Sequence, residues 1–151
     1  MNYTAKITCK CDAPESFTKN QYSRAHTWEF DGGVVVPASS SPHAVRVPWS
    51  DESAVDPEEA FVAAISSCHM LTFLWIAAKR GFLIESYVDD AAGVLEPDSD
   101  GKQSMTRVEL TPQIEWGGEM IPTEAEIQEM HHSAHEGCYI ANSVKTAITV
   151  S

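Results

Sequence analysis

Near the start of the chain, apolar and polar positions alternate. That period of two predicts strands over Tyr3 to Cys9, Ala25 to Phe30 and Val34 to Val36, with Asp31-Gly32-Gly33 turning between the last two. Pro37 to Pro48 carries Pro37, Pro42 and Pro48 among serines, and is expected to be an irregular loop. The period then changes. Asp56 is suited to cap a helix, Pro57 to open it, and Glu59 to complete a capping box, while Glu58 and Glu59 lie where the helix dipole favours negative charge. Lys79, Arg80 and Gly81 mark its end. The result is a helix of about two dozen residues, roughly 35 Å long. It is apolar nearly all round, so it must be enclosed on every side. One domain can cover one face with a sheet, which leaves the other face for a second copy of the chain.

Beyond this helix, Leu83 to Leu95 and Gln103 to Trp116 read as two long strands joined by the turn Pro97-Asp98-Ser99-Asp100-Gly101. Thr123 opens a second helix with Glu126 as its capping partner, and Ile127, Met130 and Ala134 share one face. Gly137 breaks that helix and Cys138 follows at once. A short turn over Tyr139 to Asn142 leads to a last strand, Lys145 to Val150. Strands, long helix, hairpin, helix and strand predict an α+β fold of one domain, not an alternating βαβ one.

Composition narrows the class. The chain has 151 residues, 43% of them apolar, which is enough for a substantial core. A net charge of −12 argues against nucleic acid or an anionic membrane as partner. Ala60 to Ala78 is long enough to span a bilayer, but Ser66, Ser67, Cys68, His69 and Thr72 at its centre favour burial within protein. Met1 to Lys10 lacks the apolar run of an export signal, so a cytoplasmic, reducing location is expected. Four cysteines are then as well suited to thiol chemistry as to structural bridges.

Cys68 lies mid-helix, where a free cysteine is usually a small buried hydrophobe. Cys138 lies at a helix break, where free backbone N–H groups would favour a thiolate. Seventy positions separate the two, and neither belongs to a CxxC motif, so pattern does not pair them. His131 and His135, four apart and close to Cys138, raise a metal site as a weaker reading. Cys9 and Cys11 alternate onto one strand face and are expected to serve packing. Phe73, Trp75 and Trp28 are expected in the core or an interface.

Two blocks carry a resemblance. Asp56-Pro57-Glu58-Glu59-Ala60-Phe61-Val62-Ala63-Ala64-Ile65-Ser66-Ser67-Cys68-His69 resembles the long helix of the OsmC/Ohr family of osmotically inducible and organic-hydroperoxide-resistance proteins. Ala134-His135-Glu136-Gly137-Cys138-Tyr139-Ile140-Ala141-Asn142-Ser143 resembles that family's second cysteine motif, in matching order and spacing. Tyr22 to Trp28 is more similar to an OsmC-like branch than to Ohr proper. The resemblance implies antiparallel sheets around a long buried central helix in an intertwined homodimer. It also implies a thiol peroxidase with no bound cofactor, in which Cys68 attacks an organic hydroperoxide, with hydrogen peroxide as a second candidate substrate. Cys138 would then resolve the sulfenic acid as a disulfide, and an external dithiol of lipoyl type would reset the pair. In that family an arginine and a glutamate hold the thiolate. Glu58 matches the glutamate and Arg24 is the candidate arginine.

Two other classes compete with this one: a non-catalytic binding or stress-response module of the same fold, and a metal-binding protein using His131, His135 and Cys138. The resemblance also raises a spacing problem. Glu58 and Cys68 are ten residues apart on what reads as one helix, or roughly 15 Å of axial rise. Antiparallel pairing of two such helices near Ala63 would bring Glu58 of one copy to Cys68 of the other, giving a homodimer with composite sites.

Overall fold

The computed structural model describes residues 1–11 and 13–151. The chain forms two compact units, Met1–Ala60 and Phe61–Ser151.

In the first unit, β1 (Ala5–Thr8) pairs antiparallel with β2 (His26–Phe30), which pairs antiparallel with β3 (Val35–Ala38). A single helical turn, α1 (Pro14–Phe17), lies between β1 and β2 and has no counterpart in the expected elements. Gly33 takes φ of +90° in the β2–β3 turn, a conformation open to glycine at little cost. β3 runs further than expected, through Pro37 to Ala38, so the irregular stretch begins only at Ser39. An edge strand tolerates the proline because its missing N–H leaves no inner ladder bond unmade, and the Pro37 carbonyl accepts from Val55 N. β1 ends at Thr8, so Cys9 and Cys11 lie beyond it. Both are exposed, which corrects the expectation that they pack on a strand face. Ile7, Val34 and Val35 are exposed as well.

The long helix α2 (Pro57–Lys79) opens as expected. Asp56 Oδ1 accepts from Glu59 N at 2.8 Å, and Glu59 Oε2 accepts from Asp56 N at 3.2 Å. It closes at Gly81, with φ of +84°, where Gly81 N donates to Ala78 O and Phe82 N donates to Ala77 O, a Schellman arrangement. Ile65, His69, Phe73 and Ala77 form its buried stripe. Ala64, Ser67, Leu71, Trp75 and Ala78 form an exposed one, with Trp75 63% exposed. The second unit therefore encloses this apolar helix along its buried stripe and leaves the opposite stripe exposed.

The second unit wraps the buried stripe with β4 (Leu83–Asp89), β5 (Ala92–Pro97), β6 (Gln103–Leu110), β7 (Pro112–Gly117), α3 (Glu124–Gly137) and β8 (Ala147–Val150). The expected pair of long strands is divided into two ladders, β4–β7 and β5–β6. Asp89 is the reason, since its Oδ1 accepts from Thr111 N at 2.7 Å while Thr111 Oγ1 donates to Asp90 O. These side-chain bonds take the place of ladder bonds at the division. β8 joins β6 in parallel, so the outer sheet is mixed. Thr123 and Glu126 form the expected capping box of α3.

Two apolar clusters hold this unit. Ile65 meets Val108 and Leu110 at one end of α2, and Phe73 and Ala77 meet Phe82, Met130 and Ala134 at the other. Burying a side chain the size of Phe73 stabilises by about 1.5–3 kcal/mol, so the second cluster binds α3 firmly to α2.

Candidate active site

Cys68 is half-buried on α2, and Cys138 is fully buried as the residue that caps the end of α3. The fold places the two thiols close enough for Cys68 to raise the pKa of Cys138, and both are free. The approach depends on Gly137. A Cβ at that position would lie 3.2 Å from Thr72 Cγ2, so a larger residue before Cys138 would crowd α2. Thr72 in turn donates its hydroxyl to Cys68 O at 2.9 Å.

Backbone donors do surround Cys138, as its position at a helix break suggested. Ala141 N donates to Sγ at 3.4 Å, and the Ile140 amide also favours the thiolate. Burial outweighs them. Together with the neighbouring Cys68 sulfur, towards which the Cys138 S–H is the donor, it pushes the Cys138 thiol above its usual 9.0, so Cys138 remains a protonated thiol at neutral pH. This corrects the expectation of a favoured thiolate there.

A second layer lies beside the thiols. His69, 1% exposed, shares a 3.0 Å hydrogen bond between its Nε2 and Nδ1 of His131 on α3. The two rings stack with centroids 5.3 Å apart, and Phe73 stacks on His131 at 4.2 Å. Burial, then the neighbouring His131 and His135, push His69 down to about 4, against the pull of Asp89. Burial also lowers His131, opposed by Asp89 and Glu124. Asp89 accepts from Ser66 Oγ of α2. The sequence had offered His131 as a metal ligand with His135 and Cys138, but its Nδ1 is engaged with His69. Among the described residues, no three histidine, cysteine or acidic side chains are grouped to hold a metal. His69 and Asp89 had drawn no role, although an imidazole in an apolar helix was itself a signal that a polar partner must be buried with it.

The other two candidate residues belong to the first unit. Arg24 Nη2 donates to Asn20 Oδ1 at 2.7 Å, Nη1 donates to Tyr22 O, and the guanidinium lies 3.6 Å over the Tyr22 ring. Glu58 is half-buried in the first turn of α2. Among the described residues, no ion pair joins Arg24 to Glu58.

A cleft of about 620 Å³ opens elsewhere in the second unit, between α3, β7 and β8. Trp116, Ile127, His131 and Ile148 line it, and neither thiol does.

A pair of free thiols, one half-buried on a long helix and one buried at a helix break, on this α+β scaffold, defines a class. Residues 50–151 match the OsmC family of OsmC-like proteins, and the chain belongs to that family. An OsmC-like protein of unknown function from Vibrio cholerae is 56% identical over 100% of this chain and 98% of its own, with a TM-score of 0.97. An organic hydroperoxide resistance protein from Elizabethkingia anophelis shares the fold at a TM-score of 0.69 and 18% identity, over 100% of this chain and 97% of its own. The organic hydroperoxide resistance protein OhrB of Bacillus subtilis does so at 0.67 and 21%, over 99% and 98%. No curated protein matches the sequence significantly.

Proposed function

We propose that this protein is a cysteine-based peroxidase for organic hydroperoxides. The observation that supports this reading is the meeting of Cys68 and Cys138 as free thiols. Cys68, the more accessible of the two, attacks the distal peroxide oxygen as a thiolate. The O–O bond breaks, an alcohol leaves with a proton, and Cys68 becomes a sulfenic acid. Cys138, held as a thiol by burial at rest, gives up its proton to the sulfenic hydroxyl as it attacks the Cys68 sulfur; the S–S bond forms, the S–O bond breaks and water departs. An external dithiol, of lipoyl type or similar, reduces the disulfide by exchange and is itself oxidised. The cycle suits a reducing cytoplasm.

Arg24 and Glu58 enter this reading as the pair that holds the Cys68 thiolate, as in the family the chain belongs to. A guanidinium stabilises a thiolate directly, and a carboxylate orients the guanidinium. A second copy of the chain is the proposed partner, and the exposed stripe through Leu71 and Trp75 is the surface it would cover.

Turnover of cumene hydroperoxide with a dithiol tests the proposal. The wild type should consume peroxide catalytically, and Cys68→Ser should fall to the rate without protein. Wild-type protein that neither turns over nor forms a sulfenic acid would overturn the reading and favour a non-catalytic binding module.

A further inference from the structure

We infer that His69 and His131 are a positioning pair that sets the approach of Cys138 to Cys68, governing disulfide closure rather than attack on the peroxide. The inference rests on the proposed thiol chemistry but concerns a separate step of it. His69 directly follows Cys68 on α2, and His131 stands two turns before Cys138 on α3. Their 3.0 Å hydrogen bond therefore ties together the two helices that deliver the thiols. Apolar contacts of Phe73 and Ala77 with Met130 and Ala134 also join α2 to α3, but apolar packing is non-directional and allows small sliding. The ion pairs of Arg80 with Glu126 and Glu129 lie at the far end of α2, partly exposed and screened. A buried hydrogen bond is directional, and it fixes the register of one helix on the other.

The pair also has a defined limit. Two neutral imidazoles share one N–H between Nε2 of His69 and Nδ1 of His131, and one added proton preserves that bond. A second proton sets two donors and two like charges face to face in stacked rings. The groups facing the pair are His135 and Glu124 from α3 and Asp89 from β4. Tyr87 of β4 touches their shared neighbour Phe73. Asp89 offsets the charge only in part, because Ser66 and Thr111 already donate to its oxygens. Acid therefore opens the link between the helices.

Closure is measurable without peroxide. In a Cys9→Ser, Cys11→Ser background, Cys68 attacks 2,2′-dithiodipyridine, releasing one thiopyridone and forming a mixed disulfide. Cys138 then attacks the Cys68 sulfur, forming the Cys68–Cys138 bond and releasing a second thiopyridone. His69→Leu and His131→Leu should slow the second release about tenfold at neutral pH and leave the first within about twofold. His69→Gln preserves a neutral donor and should restore closure. As the pH falls through about 4, where folded His69 takes up its proton, wild-type closure should slow relative to His69→Gln. Unchanged second release in both Leu variants would overturn the inference, as would equal slowing of both releases or parallel pH profiles for wild type and His69→Gln. If a Leu variant fails to fold, the pH comparison decides alone. A wild type that closes normally here but never reduces peroxide would refute the proposed function and leave this inference standing.

Discussion

Gly137 and Thr72 are in such close contact that a single added methyl group at position 137 would come within 3.2 Å of the threonine Cγ2. That contact lies one residue before Cys138 and one helical turn beyond Cys68, so the absent side chain is part of what lets the thiols meet.

Gly137→Ala tests this directly. Alanine favours helix over glycine by about 1 kcal/mol, so the crowding and the propensity gain should nearly cancel in stability. The thiols, however, should separate by a few tenths of an ångström. Disulfide closure should slow severalfold while the urea midpoint moves little. Closure at the wild-type rate would show that the approach does not depend on the glycine.

Acid should weaken the fold through His69. Unfolded, this histidine titrates near 6.5; folded, burial holds it down to about 4. Between those values the unfolded chain binds the proton and the folded one does not, so stability falls as pH drops from 6.5 to about 4 and levels off below. The loss attributable to His69 is on the order of 3 kcal/mol. Urea unfolding of the wild type and His69→Gln at several pH values checks it. The difference between the two should shrink with falling pH, and a constant difference would exclude His69 as the titrating group.

Glu58 and Cys68 share α2 at a spacing of ten residues, about 15 Å of helical rise, while the family resemblance gives both to one site. Composite sites in a homodimer would reconcile these. Mixing Glu58→Ala with Cys68→Ser subunits should then restore activity, because each mixed dimer has one site with both lesions and one intact site. Mixed dimers that stay inactive, with subunit exchange verified, would return both residues to a single subunit.

What the sequence determined by itself is local. The capping boxes of Asp56 with Glu59 and of Thr123 with Glu126 form as expected, and Gly81 ends α2 as expected. Each depends on groups within a few residues, which the chain holds together whatever the rest of the molecule does. The two cysteine blocks were legible in the same way, as fixed strings on predicted elements. Tertiary structure decided the rest. The division of the long hairpin at Asp89, the parallel pairing of β8, and the bond between His69 and His131 join residues distant in sequence. The state of Cys138 belongs to the same group. Its amide donors were foreseeable from a helix end, but the burial that overrides them exists only once α3 has packed on α2.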